Sequence, residues 1–245
     1  MVCCQRSEIR REKHRMTYQL VMLGKDGGLI ASDRREYCSP TSDEGQGHGA
    51  ALNSVRKIFI EPKRKFAWAY AGGEIAPFAS HYLAQEFGDV GRSLSPSDLE
   101  RELKTCGDRA WDNVASGPNP NTTIVVLHGP SRKIVRAKLA RGTIVEQMEG
   151  GQCHAGQTFS LATLFPRRFY SHEMTISELT ALAAYTVSLA GELDPLLIGG
   201  LDIAVYRDVT GEFEFLGESA CAELGRAFGE RLDQSVREVI RELGA

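Results

Sequence analysis

The sequence lacks any long apolar run and any excess of basic residues. None of its apolar stretches approaches the roughly 20 residues that a membrane-crossing helix needs. Its 245 residues carry 29 Lys and Arg against 32 Asp and Glu, a formal net charge of −3. This balance argues against a dedicated nucleic-acid surface. Residues 1–15 are basic but are not followed by an apolar stretch, so they do not form a secretory signal. We expect a cytoplasmic protein without nucleic-acid or membrane partners.

Paired cysteines and clustered metal ligands are also missing. The six cysteines are scattered and none forms a Cys-x-x-Cys pair. A chain of this length does not need a disulfide framework to fold. The six histidines are dispersed and lack the paired spacing that zinc sites use. We therefore expect buried or unreactive thiols and no metal site.

Apolar runs and turn signals predict a chain rich in antiparallel strands. Lys25-Asp26-Gly27-Gly28 separates two apolar runs and predicts a β-hairpin over residues 17–33. A second hairpin is predicted over residues 57–71, with its turn at residues 62–65. Residues 36–54 are rich in Ser, Gly, Asp and Pro and predict a long loop.

The order of the remaining elements indicates the layers of the fold. Periodic apolar spacing predicts a helix over residues 74–87, and capping residues within 93–100 predict another that runs to about 114. Two more helices are predicted over residues 175–193 and 221–243. Further strands are predicted over residues 122–128, 133–139, about 143–148, 200–206 and 212–216. Strand runs that alternate with helices favour an α+β protein, a four-layer αββα sandwich of two antiparallel sheets flanked by helices. No stretch has the character of a domain linker, so residues 17–245 are expected to form one domain.

A threonine, an aspartate and a lysine stand at the ends of predicted neighbouring strands. Thr17 opens the first apolar strand, Asp33 ends the second, and Lys57 opens the third. A threonine hydroxyl is a weak nucleophile that needs a base. The α-amine of the same residue, with a solution pKa of about 8, can take the hydroxyl proton once the preceding peptide is removed. A lysine held by a carboxylate would stabilise the developing negative charge. Together the three residues predict an acyl-transfer site.

The chain resembles proteasome β-type subunits, which belong to the N-terminal nucleophile hydrolases, from Thr17 onward. The short Met-Thr start makes it most similar to bacterial proteasome-like proteases and the ancestral β-type group. The residues that carry the resemblance are Met16-Thr17, Gly28–Arg35, Lys57–Phe59, Ala69–Gly72, Ala155-Gly156, Glu192–Asp194 and Gly199–Val205.

The resemblance implies roles for five residues and a mode of assembly. Thr17 is the implied nucleophile, Asp33 and Lys57 the paired charges, and Asp194 the acidic residue after the late helix. Gly72 is the implied donor to the oxyanion, with Gly73 as the alternative. A threonine-type endopeptidase is implied, without metal or organic cofactor. Its implied partners are copies of itself in a ring or open helical array, an unfolded protein or peptide substrate, and a possible ATPase.

Two positions depart from the family pattern. The family places a serine beside Gly156, where this chain has Gln157, and a second serine where it has Leu197 or Ile198. These departures keep two alternatives open. One is a non-catalytic structural subunit of a proteasome-like complex, and the other is a small-molecule amidohydrolase, since one fold hosts several functions.

The start of the chain and the substrate pocket also allow predictions. Residues 1–16 are either a propeptide that is cleaved off or an upstream mis-start, with Met16 as the true initiator. Tyr70 and Glu36 are predicted to face the cleft, which would favour basic or polar side chains before the cleaved bond.

Overall fold

The computed structural model describes residues 17–37, 51–52, 55–72, 75–88, 96–113, 122–156, 161–195 and 198–243. The strands within these ranges are β1 (Tyr18–Gly24), β2 (Gly27–Ser32), β3 (Glu36–Tyr37), β4 (Ala51–Leu52), β5 (Ile58–Glu61), β6 (Phe66–Ala71), β7 (Thr123–His128), β8 (Lys133–Lys138), β9 (Ile144–Met148), β10 (Gln152–Gly156), β11 (Asp202–Arg207) and β12 (Glu212–Phe215). The α-helices are α1 (Ile75–Gly88), α2 (Pro96–Asn113), α3 (Leu164–Phe169), α4 (Ile176–Leu193) and α5 (Glu218–Leu243). A 3-10 turn, Leu161–Thr163, precedes α3.

Ten of the described strands form two five-stranded antiparallel sheets. The first sheet has the order β10-β1-β2-β11-β12, and the second follows the chain from β5 to β9. Strands β3 and β4 pair separately. Each strand of the second sheet therefore pairs with its neighbour in sequence, whereas the first sheet joins strands from both ends of the chain.

Three apolar clusters define the layers. One lies between the first sheet and α4, another between the second sheet and helices α1 and α2, and the third between the two sheets. Helix α5 packs mainly on α4. The order helix, sheet, sheet, helix confirms the predicted four-layer αββα sandwich.

The side chains of β1 alternate between two of these clusters. Tyr18, Leu20 and Met22 belong to the cluster on the helix side, and Val21 and Leu23 to the cluster between the sheets. A strand that is covered on both faces reads as a nearly continuous apolar run. This explains why every residue of β1 is buried, and it assigns Gln19 to the face that looks toward the second sheet.

The first hairpin places two of the predicted site residues side by side. Strands β1 and β2 are joined by the two residues Lys25 and Asp26, and their register runs from Gly24 opposite Gly27 to Gln19 opposite Ser32. Beyond the ladder, the N–H of Asp33 donates to the carbonyl of Tyr18 at 3.1 Å. The predicted hairpin is confirmed, and its register brings Asp33 beside the start of β1.

Several elements differ from the prediction. The ends of the predicted loop over residues 36–54 pair as the short strands β3 and β4. Strand β10 and helix α3 were not predicted, because Gln-Cys-His-Ala-Gly has little apolar content and a six-residue helix is too short to show a period. Residues 1–16, Gly73, Gln157 and Leu197 lie outside the described residues.

Among the described helices, none is long and apolar enough to cross a bilayer.

The start of α4 gives a test of local stability. Thr175 accepts a hydrogen bond from the N–H of Glu178, and the Glu178 carboxylate accepts one from the N–H of Thr175, which completes a capping box. We expect Thr175→Ala to lower the free energy of unfolding by about 1 kcal/mol, because helical N–H groups lose their partners. Urea denaturation measures the change. Ser177→Ala, at an exposed position of the same helix, is the control and should change stability by less than about 0.5 kcal/mol.

Candidate active site

The ammonium group of Lys57 joins the two sheets at one end of the sandwich. Lys57 lies just before β5 of the second sheet, and its Nζ donates to the hydroxyl of Thr17 at 3.0 Å. The same nitrogen lies 3.1 Å from each carboxylate oxygen of Asp33 and 2.5 Å from the carbonyl oxygen of Arg35. Thr17 immediately precedes β1 and Asp33 immediately follows β2 of the first sheet. One side chain from the second sheet's edge therefore connects three groups at the end of the first sheet.

All three side chains are buried. The exposed fraction is 6% for Thr17, 0% for Asp33 and 2% for Lys57. A charge so far from water requires a partner of opposite sign and further hydrogen bonds. Lys57 and Asp33 supply the opposite charges, and the backbone supplies the additional hydrogen bonds.

The Asp33 carboxylate is oriented by the backbone on both sides. The N–H of Tyr18 donates to Oδ1 at 2.9 Å, and the N–H of Arg35 donates to Oδ2 at 3.0 Å. Burial raises the pKa of Asp33, while the Lys57 ammonium and these two N–H groups oppose the shift. Both oxygens are therefore held in place for the lysine.

Strands β1, β6 and β10 converge beside Thr17. A Cβ built on Gly156, at the end of β10, would lie 1.8 Å from the carbonyl oxygen of Thr17 and 3.3 Å from the Cβ of Ala71. Gly156 has a φ of 77°, and Gly72, which follows Ala71, has a φ of 109°. Both are conformations that favour glycine. Gly72 therefore follows a residue, Ala71, that lies close to Gly156. Its predicted role as oxyanion donor stays a prediction.

Asp194 stands apart from this hydrogen-bonded group. It caps the C-terminal end of α4, where its N–H donates to Ala190 and its carbonyl accepts from Ile198. Among the described residues, no hydrogen bond joins its carboxylate to Thr17, Asp33 or Lys57. The predicted role of Asp194 stays a prediction.

Ile198 is one of the two residues that can stand at the position of the second family serine. It is 1% exposed and belongs to the cluster between the first sheet and α4. Its side chain contributes to the core and offers no hydrogen bond to the site. Gln157, at the first departing position, lies outside the described residues.

An ion-pair network beside the site was not predicted. Arg34, next to Asp33, binds Glu218 of α5 at 2.6 Å, and its Nε lies 3.8 Å from the carboxylate of Asp202. Arg56 lies 3.9 Å from the other oxygen of Asp202. Burial raises the pKa of Asp202, and the two arginines oppose that shift. Arg34 and Glu218 are 184 positions apart, so no local pattern in the sequence could reveal the pair.

The prediction that Tyr70 faces the substrate cleft stays a prediction, and the structure shows what its ring contacts. Its ring packs on Phe59, with 6.1 Å between the ring centroids, in the cluster between the second sheet and helices α1 and α2. Ala69 and Ala71 take the opposite face of β6 because side chains alternate along a strand. The side chain of Glu36 lies outside the described residues.

The arrangement can activate a hydroxyl, but among the described residues the hydrogen-bond partner of Thr17 Oγ1 is the Lys57 ammonium, which is not a base. An ammonium 3.0 Å from Thr17 Oγ1 stabilises negative charge on that oxygen. With Met16 attached, the nitrogen of Thr17 is an amide and cannot accept the proton. Release of the α-amine would supply a base on the same residue. Among the described residues, no group of His, Cys, Asp and Glu could hold a metal ion.

Comparisons with known proteins place the fold. The sequence matches no protein-family model and no curated protein. The structure is similar to Anbu, described as an ancestral beta-subunit, from Yersinia bercovieri, with a TM-score of 0.68 and 15% identity over 90% of this chain and 96% of that chain. It is also similar to Anbu from Hyphomicrobium sp. strain MC1, with a TM-score of 0.67 and 13% identity over 90% and 97% of the two chains. The Gly-1 mutant of that protein is similar too, with a TM-score of 0.67 and 14% identity over 91% of this chain and 99% of that chain. At this level of identity, the likeness shows that the chain has the fold of Anbu and shows the fold alone.

The contact between Gly156 and Thr17 yields a prediction. Gly156→Ala should lower the free energy of unfolding by about 2–4 kcal/mol, because the new methyl group meets a backbone carbonyl in addition to the strain of a positive φ. Gly142→Ala is a matched control, since Gly142 has a φ of 82° and nothing within 4 Å of the position of a Cβ. Thermal and urea denaturation compare the two variants. Equal losses would show that the backbone conformation alone matters and that the contact with Thr17 does not.

A partly buried histidine on β10, two residues before Gly156, predicts a pH dependence of stability. Burial, with a smaller contribution from Arg167, lowers the pKa of His154 to about 4 from 6.5. The unfolded chain therefore binds a proton between these values that the folded chain does not, so stability falls as the pH drops from about 6.5 to 4. The loss reaches at most about 3 kcal/mol.

Urea denaturation of the His154→Gln variant across this range tests the assignment. The decline should be smaller in the variant than in the parent protein, since one titrating group is removed. His81→Gln, at an exposed position, is the control and should decline as the parent does. Parallel curves for the parent and His154→Gln would contradict the prediction.

Proposed function

We propose that this protein is a threonine-type endopeptidase of the N-terminal nucleophile class, within a self-assembling proteasome-like complex. One observation carries the proposal: a buried lysine ammonium lies 3.0 Å from the hydroxyl of Thr17 and 3.1 Å from the carboxylate of Asp33. A threonine that only begins a strand does not need a buried ammonium group beside its hydroxyl. The acyl-transfer chemistry predicted from the sequence requires this contact.

Each predicted site residue has a proposed role. Thr17 attacks, and its α-amine, freed by removal of residues 1–16, takes the hydroxyl proton. Lys57 stabilises negative charge on Oγ1, and Asp33 holds Lys57 in place. Gly72 donates its N–H to the oxyanion, and Asp194 assists from the end of α4.

The reaction follows from these roles. Thr17 Oγ1 bonds to the carbonyl carbon of the substrate peptide, and the proton passes to the α-amine. The tetrahedral oxyanion is held by the N–H of Gly72. The C–N bond then breaks, the leaving amine takes the proton, and an ester remains on Thr17. Water, deprotonated by the same α-amine, hydrolyses the ester and restores the hydroxyl.

Assembly and context belong to the same proposal. Residues 17–245 act as one domain that associates with copies of itself in a ring or open helical array. The likeness to Anbu, described as an ancestral beta-subunit, supports a proteasome-like assembly. Such an assembly would confine the sites in the cytoplasm, where unfolded proteins or peptides are the substrate and an ATPase is a possible partner.

A specific observation favours a second candidate, a non-catalytic structural subunit. If Ile198 stands at the second departing position, it fills the core there instead of supplying a hydroxyl. The Lys57–Asp33 pair would then serve to join the sheets. This candidate predicts that residues 1–16 stay attached, because a structural role needs no free α-amine.

The two candidates are separated by the start of the mature chain. Intact mass and N-terminal sequencing of protein from its native host should give a chain that begins at Thr17. A chain that retains residues 1–16 would support the structural subunit.

Turnover of peptides tests the nucleophile. With the chain produced so that residue 17 is first, we expect Thr17→Ala to lower kcat by about 10³-fold or more, because the attacking atom is lost. Thr17→Ser is the matched control, since it keeps a hydroxyl and should retain part of the activity. Thermal unfolding checks that both variants fold. Parent protein that cleaves small amides but no peptides would indicate an amidohydrolase, and activity in Thr17→Ala would reject Thr17 as the nucleophile.

A further inference from the structure

Gln19 is a polar residue in an apolar row. Strand β1 sends Gln19, Val21 and Leu23 toward the second sheet, and Val21 and Leu23 belong to the cluster between the sheets. Gln19 is 0% exposed. Strand propensity and burial both favour a β-branched apolar side chain at such a position, so an amide there calls for a reason.

The amide of Gln19 reaches across to the second sheet. Its Nε2 donates to the carbonyl oxygen of Tyr70 on β6. Strand β5 pairs with β6 only as far as Ile58 and Ala69, so Tyr70 lies one residue past the end of that ladder. The contact therefore holds β6 at the place where its neighbour on one side has ended.

The position of this contact relates it to the candidate active site. Gln19 is two residues after Thr17, and Tyr70 is two residues before Gly72. Two residues of strand span about 7 Å. The side chain thus ties together the two chain segments that carry the proposed nucleophile and the proposed oxyanion donor, close to both.

Core stability does not account for the amide. The Oε1 of Gln19 is buried and has no hydrogen-bond partner among the described residues. A buried polar atom without a partner destabilises the folded state. An apolar side chain of similar size would remove this cost, while the hydrogen bond to Tyr70 would be lost.

We propose that Gln19 is a positioning residue that fixes the end of β6, and with it the N–H of Gly72, relative to Thr17. The proposal rests on the proposed function for its catalytic consequence. Gln19 does not touch the reacting atoms; it acts through Tyr70 and the two residues that follow.

A split between activity and stability tests the proposal. Gln19→Leu should lower kcat by about tenfold to a hundredfold, because misplacement of an oxyanion donor by a fraction of an ångström weakens transition-state binding. KM should change by less than about twofold, and the melting temperature should stay the same or rise. A merely structural glutamine would instead lose stability and activity together, and that result would overturn the proposal.

Gln152→Leu is the matched control. Gln152 lies on β10 of the same sheet, opposite Met22, and its Oε1 is also buried without a partner among the described residues. It faces the opposite side of the sheet from Cys153 and lies at the far end of β10 from Gly156. The control should leave kcat and KM at the values of the parent.

The Gln19→Glu variant adds a pH profile. Only the protonated carboxyl can donate to the Tyr70 carbonyl, and burial raises the pKa of such a group. The ratio of kcat in Gln19→Glu to kcat in the parent should therefore fall as the pH rises. A ratio that is constant with pH would contradict a role for the donated hydrogen bond.

Amide hydrogen exchange separates this proposal from the proposed function. In Gln19→Leu, peptides that cover Phe66–Gly72 should exchange faster than in the parent, while β1 should remain protected. If the parent shows no turnover but this exchange pattern is present, the proposed function fails and the role of Gln19 at the end of β6 stands. Unchanged exchange would overturn the role of Gln19 whether or not the parent is active.

Discussion

The interaction on which the rest of this structure depends is the buried ion pair between Lys57 and Asp33. It crosses from one sheet to the other, at the end of the sandwich where β1 begins and β6 ends. A lysine that is 2% exposed would be strongly unfavourable without its carboxylate, and the carboxylate in turn relies on the N–H groups of Tyr18 and Arg35. The pair therefore couples the register of the first hairpin to the placement of the second sheet.

The same pair explains why fold and chemistry are difficult to separate in this protein. The group that would activate Thr17 also joins the layers, so a chain with no catalytic role would still keep it. This is why the identity of the mature N-terminus matters more than the presence of the three residues. Under the proposed function, Lys57 lies where a nucleophilic Thr17 would need it, and the covalent state of one nitrogen decides whether Thr17 would have a base.

Much of the fold could be predicted because its elements are locally marked. The Asp26-Gly27 turn defines the first hairpin, and the capping box at Thr175 and Glu178 defines the start of α4. Strand β10 escaped prediction because its five residues are small or polar, although it carries Gly156. Its pairing with β1 depends on residues 130 to 138 positions away, and no local pattern contains that information.

Part of the candidate site could be predicted from the sequence, and part could not. Thr17, Asp33 and Lys57 lie at strand ends, and strand ends of one sandwich meet, so their proximity follows from the order of the elements. The proposed role of Gln19 could not be predicted from the sequence, since a glutamine in a strand gives no sign of which group its amide contacts. The layer that covers Tyr70 could not be predicted from the sequence, because strand alternation shows which residues share a face and not which element packs on that face.

The network around Arg34 has a further consequence, which concerns the medium in which the protein is studied. Arg34 follows Asp33 directly, and it is held by one carboxylate that is mostly buried and by another, on α5, that is more than half exposed. Charges near water are screened over about 8 Å at physiological ionic strength, and buried ones much less. Salt therefore weakens the ion pair between Arg34 and Glu218 more than the ion pair between Arg34 and Asp202. The strength with which the segment after Asp33 is held to α5 therefore depends on the ionic strength of the solution. Measurements made at different salt concentrations should be compared with this in mind.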